Sequence, residues 1–232
     1  NVQSPSLENP ENYIKVVDRS GFFEVTSFSD DDINRNAMYK ANAQRVKVSK
    51  KFENYDDYLL SLEMTAEIEE FKAIDLQRIA QLTNKSNQFN LTTKRYTQNE
   101  IEKISSDGNY ITLCGRLRDK FGDNGIVSVV IGRKENDALH IDLWLMSCRV
   151  LKRNMEYAML DCLVSEAKLQ GIRKIYGYYL KTKKNSMVKS LFSDFGFEKI
   201  SEDIEENTVW EMDIKNYIPK NKLITVKQTQ KV

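Results

Sequence analysis

The spacing of hydrophobic positions changes several times along the chain, and the changes mark out a mixed α and β domain. Residues 29–51 open on Ser29, Asp30, Asp31 and Asp32, which suit a helix start because acids favour the positive end of a helix dipole, and continue through Ile33, Met38 and mostly charged positions. A long polar helix is predicted there. Residues 58–62 are a short apolar patch, and around Met64, Ala66 and Ile68 apolar and polar positions alternate as in a half-buried strand. From Ile74 through Ile79, Ala80 and Leu82 the spacing becomes that of an amphipathic helix. Residues 84–97 are dense in Asn, Gln and Thr without Gly or Pro, which predicts an ordered loop, and Thr97 with Glu100 makes a capping box for the next helix.

Two β-rich runs follow at 110–117 and 125–132, joined by turn residues, as an antiparallel pair. Residues 139–146 read as a third apolar strand. Met155, Ala158, Met159, Cys162, Leu163 and Ala167 then recur at helical spacing until Gly171 stops the run. A strand at 174–180, a helix at 187–195 stopped by Gly196, and a strand pair at 197–200 and 208–214 complete the pattern. The order β-α-α-β-β-β-α-β-α-β-β over 62–214 resembles that of the GNAT acyltransferases. The expected architecture is therefore α/β (α+β), with a mixed central sheet flanked by helices and a helical segment before it. Residues 1–57 are read as linker and helical segment, 58–214 as the GNAT-like domain and 215–232 as a charged tail.

Charge narrows the partners. Lys and Arg number 35 against 34 Asp and Glu, a formal net charge of +1, so no basic field draws the chain to nucleic acid. No apolar run approaches the roughly 18 residues that a membrane span needs. Cys114, Cys148 and Cys162 are odd in number and widely spaced, which fits reduced thiols in the cytoplasm and gives no metal-binding pattern.

Three segments carry a closer resemblance. Residues 78–96 read RIAQLTNKSNQFNLTTKRY, nearly residue for residue the RIAQLTQKTNQFNLTTRRY signature of FkbH-like proteins, haloacid-dehalogenase subfamily IIIC. Residues 118–125, RDKFGDNG, are similar to the DRFGDxG turn of that family, and residues 145–151, LMSCRVL, to its MSCRVLGR stretch. Full-length members begin with a phosphatase whose paired aspartates follow an apolar strand. Here the one aspartate cluster, 30–32, opens a polar helix, so no phosphatase activity is expected of this chain. The resemblance implies transfer of a glyceryl unit, through an enzyme thiol, to the phosphopantetheine arm of an acyl carrier protein in polyketide-like biosynthesis. It also implies an N-terminal phosphatase domain as partner.

Candidate chemistry centres on Cys148. A thiolate at a strand end and just before a helix gains from the helix dipole and from Arg149, Lys152 and Arg153, and such a thiol holds an acyl group as a thioester. The alternative is a small buried hydrophobe. Glu156, in the first helical turn, is a candidate partner of Arg153, a candidate base, or simply an acid favoured by the dipole. Arg149, Lys152, Arg153 and Asn154 occupy the GNAT position where backbone N–H groups at a helix start cradle the pyrophosphate of coenzyme A. Lys152 and Asn154 stand where glycines are usual, which weighs against coenzyme A and leaves side-chain cations for the single phosphate of a phosphopantetheine arm. Asn87, Gln88, Asn90, Thr92 and Thr93 either orient a hydroxylated acyl group or satisfy their own loop backbone. His140, the one histidine, reads as a strand-surface residue about 26 Å along the chain from Cys148, too far for direct pairing. If alternation is strict, the two share a sheet face. A non-catalytic GNAT-like module that binds the carrier or supports the phosphatase is the rival reading, and an N-acetyltransferase using acetyl coenzyme A a third.

Overall fold

The structure is a computed structural model that describes Glu11, Tyr13, Ile14, Val16 and residues 35–227. The aspartates at 30–32 and most of the expected linker lie outside the described residues. The chain divides into two compact units, residues 1–43 and 44–232. In the first, residues 35–43 begin helix α1 (Arg35–Ser49), the long polar helix that the sequence predicts.

The second unit takes up the rest of α1, helix α2 (Tyr55–Ser61), and strands and helices in the expected order: β1 (Thr65–Glu69), α3 (Leu76–Lys85), β2 (Phe89–Asn90), α4 (Gln98–Ser106), β3 (Tyr110–Asp119), β4 (Gly122–Glu135), β5 (Ala138–Met146), α5 (Met155–Leu169), β6 (Lys174–Tyr179), α6 (Leu191–Asp194), β7 (Glu198–Glu202), β8 (Thr208–Asp213) and β9 (Thr225–Lys227). The sheet runs β7-β8-β6-β5-β4-β3-β1-β9, with β2 paired to β5 off this path. Neighbours are antiparallel except β5 with β6 and β1 with β9, so the central sheet is mixed.

Each face of the sheet has its own apolar layer. Met155, Ala158, Met159 and Leu163 of α5, with Tyr58 and Leu59 of α2, pack on Ile111, Leu113, Val127 and Val130. Leu76, Ile79, Ala80 and Leu82 of α3 and Ile101 of α4 pack on Cys114, Val129, Ile131, Leu143 and Leu145 from the other side. Gly115 sits on β3 where an added Cβ would collide with the side chains of Met155 and Met159, so its lack of a side chain lets α5 lie close against the sheet. The expected capping box forms in full, Thr97 accepting from Glu100 N while Glu100 accepts from Thr97 N.

The apolar patch at 58–62, to which the sequence assigns no element, belongs to helix α2, started by Asn54, whose side chain accepts from Asp56 N at 2.8 Å; seven residues are too few to display a helical period. Three local expectations need correction. The loop at 84–97 contains strand β2. The helix at 187–195 is two pieces, a 3₁₀ turn (Ser186–Val188) and the short α6. The charged tail from 215 includes β9, drawn onto the sheet because β1 offers it a free edge, and Asp161 of α5 accepts from Lys220 N and Asn221 N on the way.

Candidate functional site

The feature that organises the site is a gap in the sheet. β5 and β6 pair only over Ala138–His140 with Lys174–Tyr176. Directly beyond, β5 carries a bulge: Ile131 of β4 faces Leu143 while Gly132 faces Ile141, leaving Asp142 as the extra residue. The bulge changes the phase of the strand. Leu139 and Ile141 join the α5-side core with Trp144 and Met146, whereas Leu143 and Leu145 join the opposite one. Strict alternation from His140 to Cys148 is thereby broken.

β2 fills that gap. On one side Phe89 and Asn90 pair with Met146 and Leu145, and Leu91 N donates to Trp144 O at 3.1 Å. On the other, Leu180 N donates to Leu91 O at 2.8 Å, and Asn185 Nδ2 donates to Asn90 O at 3.0 Å. Thr92 Oγ1 closes the row by donating to Asp142 O at 2.7 Å, and Lys94 Nζ meets the Asp142 carboxylate at 2.9 Å.

Cys148 lies two residues beyond the β2–β5 pairing, on a 3₁₀ turn (Cys148–Val150), and is exposed, so the buried-hydrophobe alternative does not hold. Gln88, next along β2, is exposed at the same end of the sheet, and Ser147 accepts from Arg149 N and Arg149 Nε. Lys152 and Asn154 both have left-handed backbones, φ 64° and 61°. The loop therefore keeps a glycine-type path without glycine, and Tyr55 Oη donates to Lys152 O at 2.9 Å to hold it. Arg153 is placed otherwise than expected. It is buried and donates to Asp119 at 3.0 Å, beside Arg45, which grips the same carboxylate with Nε and Nη2 at 2.8 and 2.9 Å.

Three of the five polar residues proposed for the acyl group already have side-chain partners in the protein. Asn90 is fully buried, its Oδ1 accepting from Thr93 N at 2.8 Å; Asn87 Oδ1 accepts from Arg95, and Thr92 is spent on β5. Thr93 holds φ 56°.

No family model and no curated protein matches the chain. Solved structures do. A domain from Methanocaldococcus jannaschii DSM 2661 aligns with a TM-score of 0.51 at 18% identity, over 65% of this chain and 99% of that one. The GNAT domain of S. lividans PAT aligns with a TM-score of 0.50 at 13% identity, over 63% and 89%. This is the GNAT fold. At these identities the likeness is one of architecture, and chemistry has to be argued from side chains.

Within the GNAT frame, sequence reasoning passed over a second group. His140 is the last β5 residue paired with β6, at the point where the strands part. Its ring stacks on Tyr176 at 4.9 Å, and its Nδ1 lies 2.7 Å from the Tyr178 hydroxyl. Glu135 approaches Nε2 at 3.8 Å, and Arg133 bridges Glu135 and Asp142. Burial, reinforced by Arg133, holds His140 below the usual imidazole range. The signal was the alternation of Tyr176 and Tyr178 on the strand expected at 174–180, which pairs with β5. Glu156 is mostly buried in the first turn of α5; burial raises its carboxyl above the ordinary range and Asp194 adds to the effect, while its Oε2 makes no hydrogen bond with the described residues. Cys114 is buried and its thiol pushed up to about 12, and burial pushes Cys162 to about 11. Among the described residues no group of His, Cys, Asp and Glu could hold a metal ion, and no helix is long and apolar enough to cross a membrane.

Proposed function

We propose that this chain is the acyl-transfer part of an FkbH-like protein, passing a glyceryl or similar small acyl unit to the phosphopantetheine thiol of an acyl carrier protein. The observation that carries the reading is the exposed thiol of Cys148, at the end of β5 within the segment that resembles the family, on a GNAT fold. The Cys148 thiolate attacks the carboxyl carbon of an acyl phosphate such as 1,3-bisphosphoglycerate. The C–S bond forms, the C–O bond to the leaving phosphate breaks, and Glu156 is the candidate acceptor of the thiol proton. The pantetheine thiolate then attacks the thioester carbon, restoring the Cys148 thiolate. The remaining phosphoester is left to the phosphatase domain that the resemblance implies. Arg149, Lys152 and Asn154 are the residues offered to the phosphate of the arm; Arg153, committed to Asp119, is withdrawn from that set.

A second reading, a non-catalytic GNAT-like module that holds the carrier protein or the phosphatase, is favoured by one observation: the gap between β5 and β6 is filled by β2. Intact-protein mass spectrometry separates the two. After incubation with 1,3-bisphosphoglycerate and a phosphopantetheinylated carrier, full-length wild type is expected to carry an acyl adduct that Cys148→Ala lacks. No adduct, with carrier loading unchanged in the variant, would remove Cys148 from the reaction and leave the module reading.

A further inference from the structure

We infer that β2, latched by Asn185, is a built-in strand that takes the sheet positions an extended amide-bearing ligand would use, so that this domain does not draw coenzyme A into its sheet. Two parallel strands that part after three residue pairs leave facing rows of N–H and C=O groups. An extended chain with its own amides can add to such edges as a strand does, and the pantetheine arm of coenzyme A is such a chain. Here β2 already bonds to both edges. Trp144 O and Leu180 N, one on each side of the gap, both bond to Leu91.

The occupant is held as core. Asn90 and Leu91 are fully buried, with Phe89 and Thr92 nearly so. Asn185, itself fully buried, spends its amide on this join: Nδ2 donates to Asn90 O and to Leu180 O at 3.0 and 2.9 Å, and Oδ1 accepts from Thr182 N at 2.8 Å. Withdrawing β2 would break the bonds that Trp144 O, Leu180 N and Asn185 Nδ2 make to it, and Trp144 and Asn185 are fully buried, which opposes displacement by a ligand. What remains open is the outer end, where Gln88 and Cys148 are exposed. A pantetheine thiol would then meet the domain there, beside Cys148, and this part of the inference rests on the function proposed above.

Hydrogen exchange on the whole chain, with and without coenzyme A, tests it. Residues 89–92 are expected to exchange as slowly as 143–146 of β5, and millimolar coenzyme A is expected to leave both unchanged; binding elsewhere without change at 89–92 also agrees. Fast exchange at 89–92 in the free protein would overturn the inference, as would coenzyme A that speeds exchange at 89–92 while protecting 143–146. Asn185→Ala, where circular dichroism shows it folded, is expected to speed exchange at 89–92 at least tenfold; unchanged exchange there would remove Asn185 as the latch. None of these readouts involves acylation of Cys148, so the inference and the proposed activity can fail separately.

Discussion

Arg153 Nη1 donates to Asp119 Oδ2 at 3.0 Å, and this single bond turns a cation of the expected phosphate loop into the interior. Asp119 closes β3, its side chain fully enclosed, and it also receives both Arg45 bonds and Phe121 N at 2.9 Å. Two buried guanidiniums thus share one carboxylate. Removing it takes a fully enclosed carboxylate from two buried guanidiniums, so Asp119→Ala is expected to lose about 3–5 kcal/mol in urea unfolding. A loss under about 1 kcal/mol would mean that other groups or water replace the carboxylate.

Lys152 and Asn154 make the same loop costly in another way. A non-glycine residue in the left-handed region costs about 1–2 kcal/mol, less for Asn than for Lys, and glycine gives back part of that gain as chain entropy on unfolding. Lys152→Gly is therefore expected to stabilise the domain by about 0.5–1 kcal/mol, with the Tyr55 bond to the 152 carbonyl retained. Asn154→Gly should gain less. Thermal or urea unfolding of the two single variants gives the comparison, and a destabilised Lys152→Gly would show that the lysine side chain anchors the loop.

Long periodic elements were legible because burial on one face imposes a period: α3, α5, β3, β4 and β6 follow their apolar spacing closely. Short elements were not. α2 has seven residues and β2 two, and β2 exists only because the bulge at Asp142 and the early end of β5–β6 pairing open a gap beside it. Cys148 could be placed at a strand end from sequence, but its exposure could not. The fate of Arg153 was hidden for a related reason, since its partner is Asp119, shared with Arg45, and no local pattern joins the three positions. His140 was dismissed on its distance from Cys148 along β5, although the groups that matter to it stand across the sheet on β4 and β6.

Those groups give His140 a pH signature. Facing it are Tyr176 and Tyr178 from β6, Glu135 and Arg133 from β4, and Asp142 on β5, and burial with Arg133 outweighs the carboxylates. The folded value lies below the unfolded one of 6.5, so the unfolded chain binds the proton more readily. The contribution to stability is fully present above about pH 6.5 and is lost as pH falls through that value toward the folded one. Urea midpoints are expected to decline between about pH 7.5 and about pH 5.5, and His140→Gln to flatten that decline. Glu135, held below the ordinary range by Arg133, titrates at lower pH and does not imitate the effect. An equal slope in His140→Gln would assign the decline to other groups.

The three thiols separate cleanly by environment, and this gives the most direct check on the proposed chemistry. Alkylation proceeds through the thiolate and requires access. Cys114 is fully buried among apolar side chains with Asp75 and Glu69 adding to the effect of burial, and Cys162 is partly buried on α5 beside Asp161. Both environments oppose ionisation, whereas Cys148 is exposed on its turn. Iodoacetamide applied to the folded protein near neutral pH is therefore expected to modify Cys148 first, with Cys114 and Cys162 reacting only in denaturant, as peptide mass spectrometry would read out. Cys148→Ala should abolish the native-state labelling. Early labelling of Cys162 instead would mean that α5 opens locally at that position, and a Cys148 that resists iodoacetamide while Cys162 reacts would deprive the thioester proposal of its accessible nucleophile.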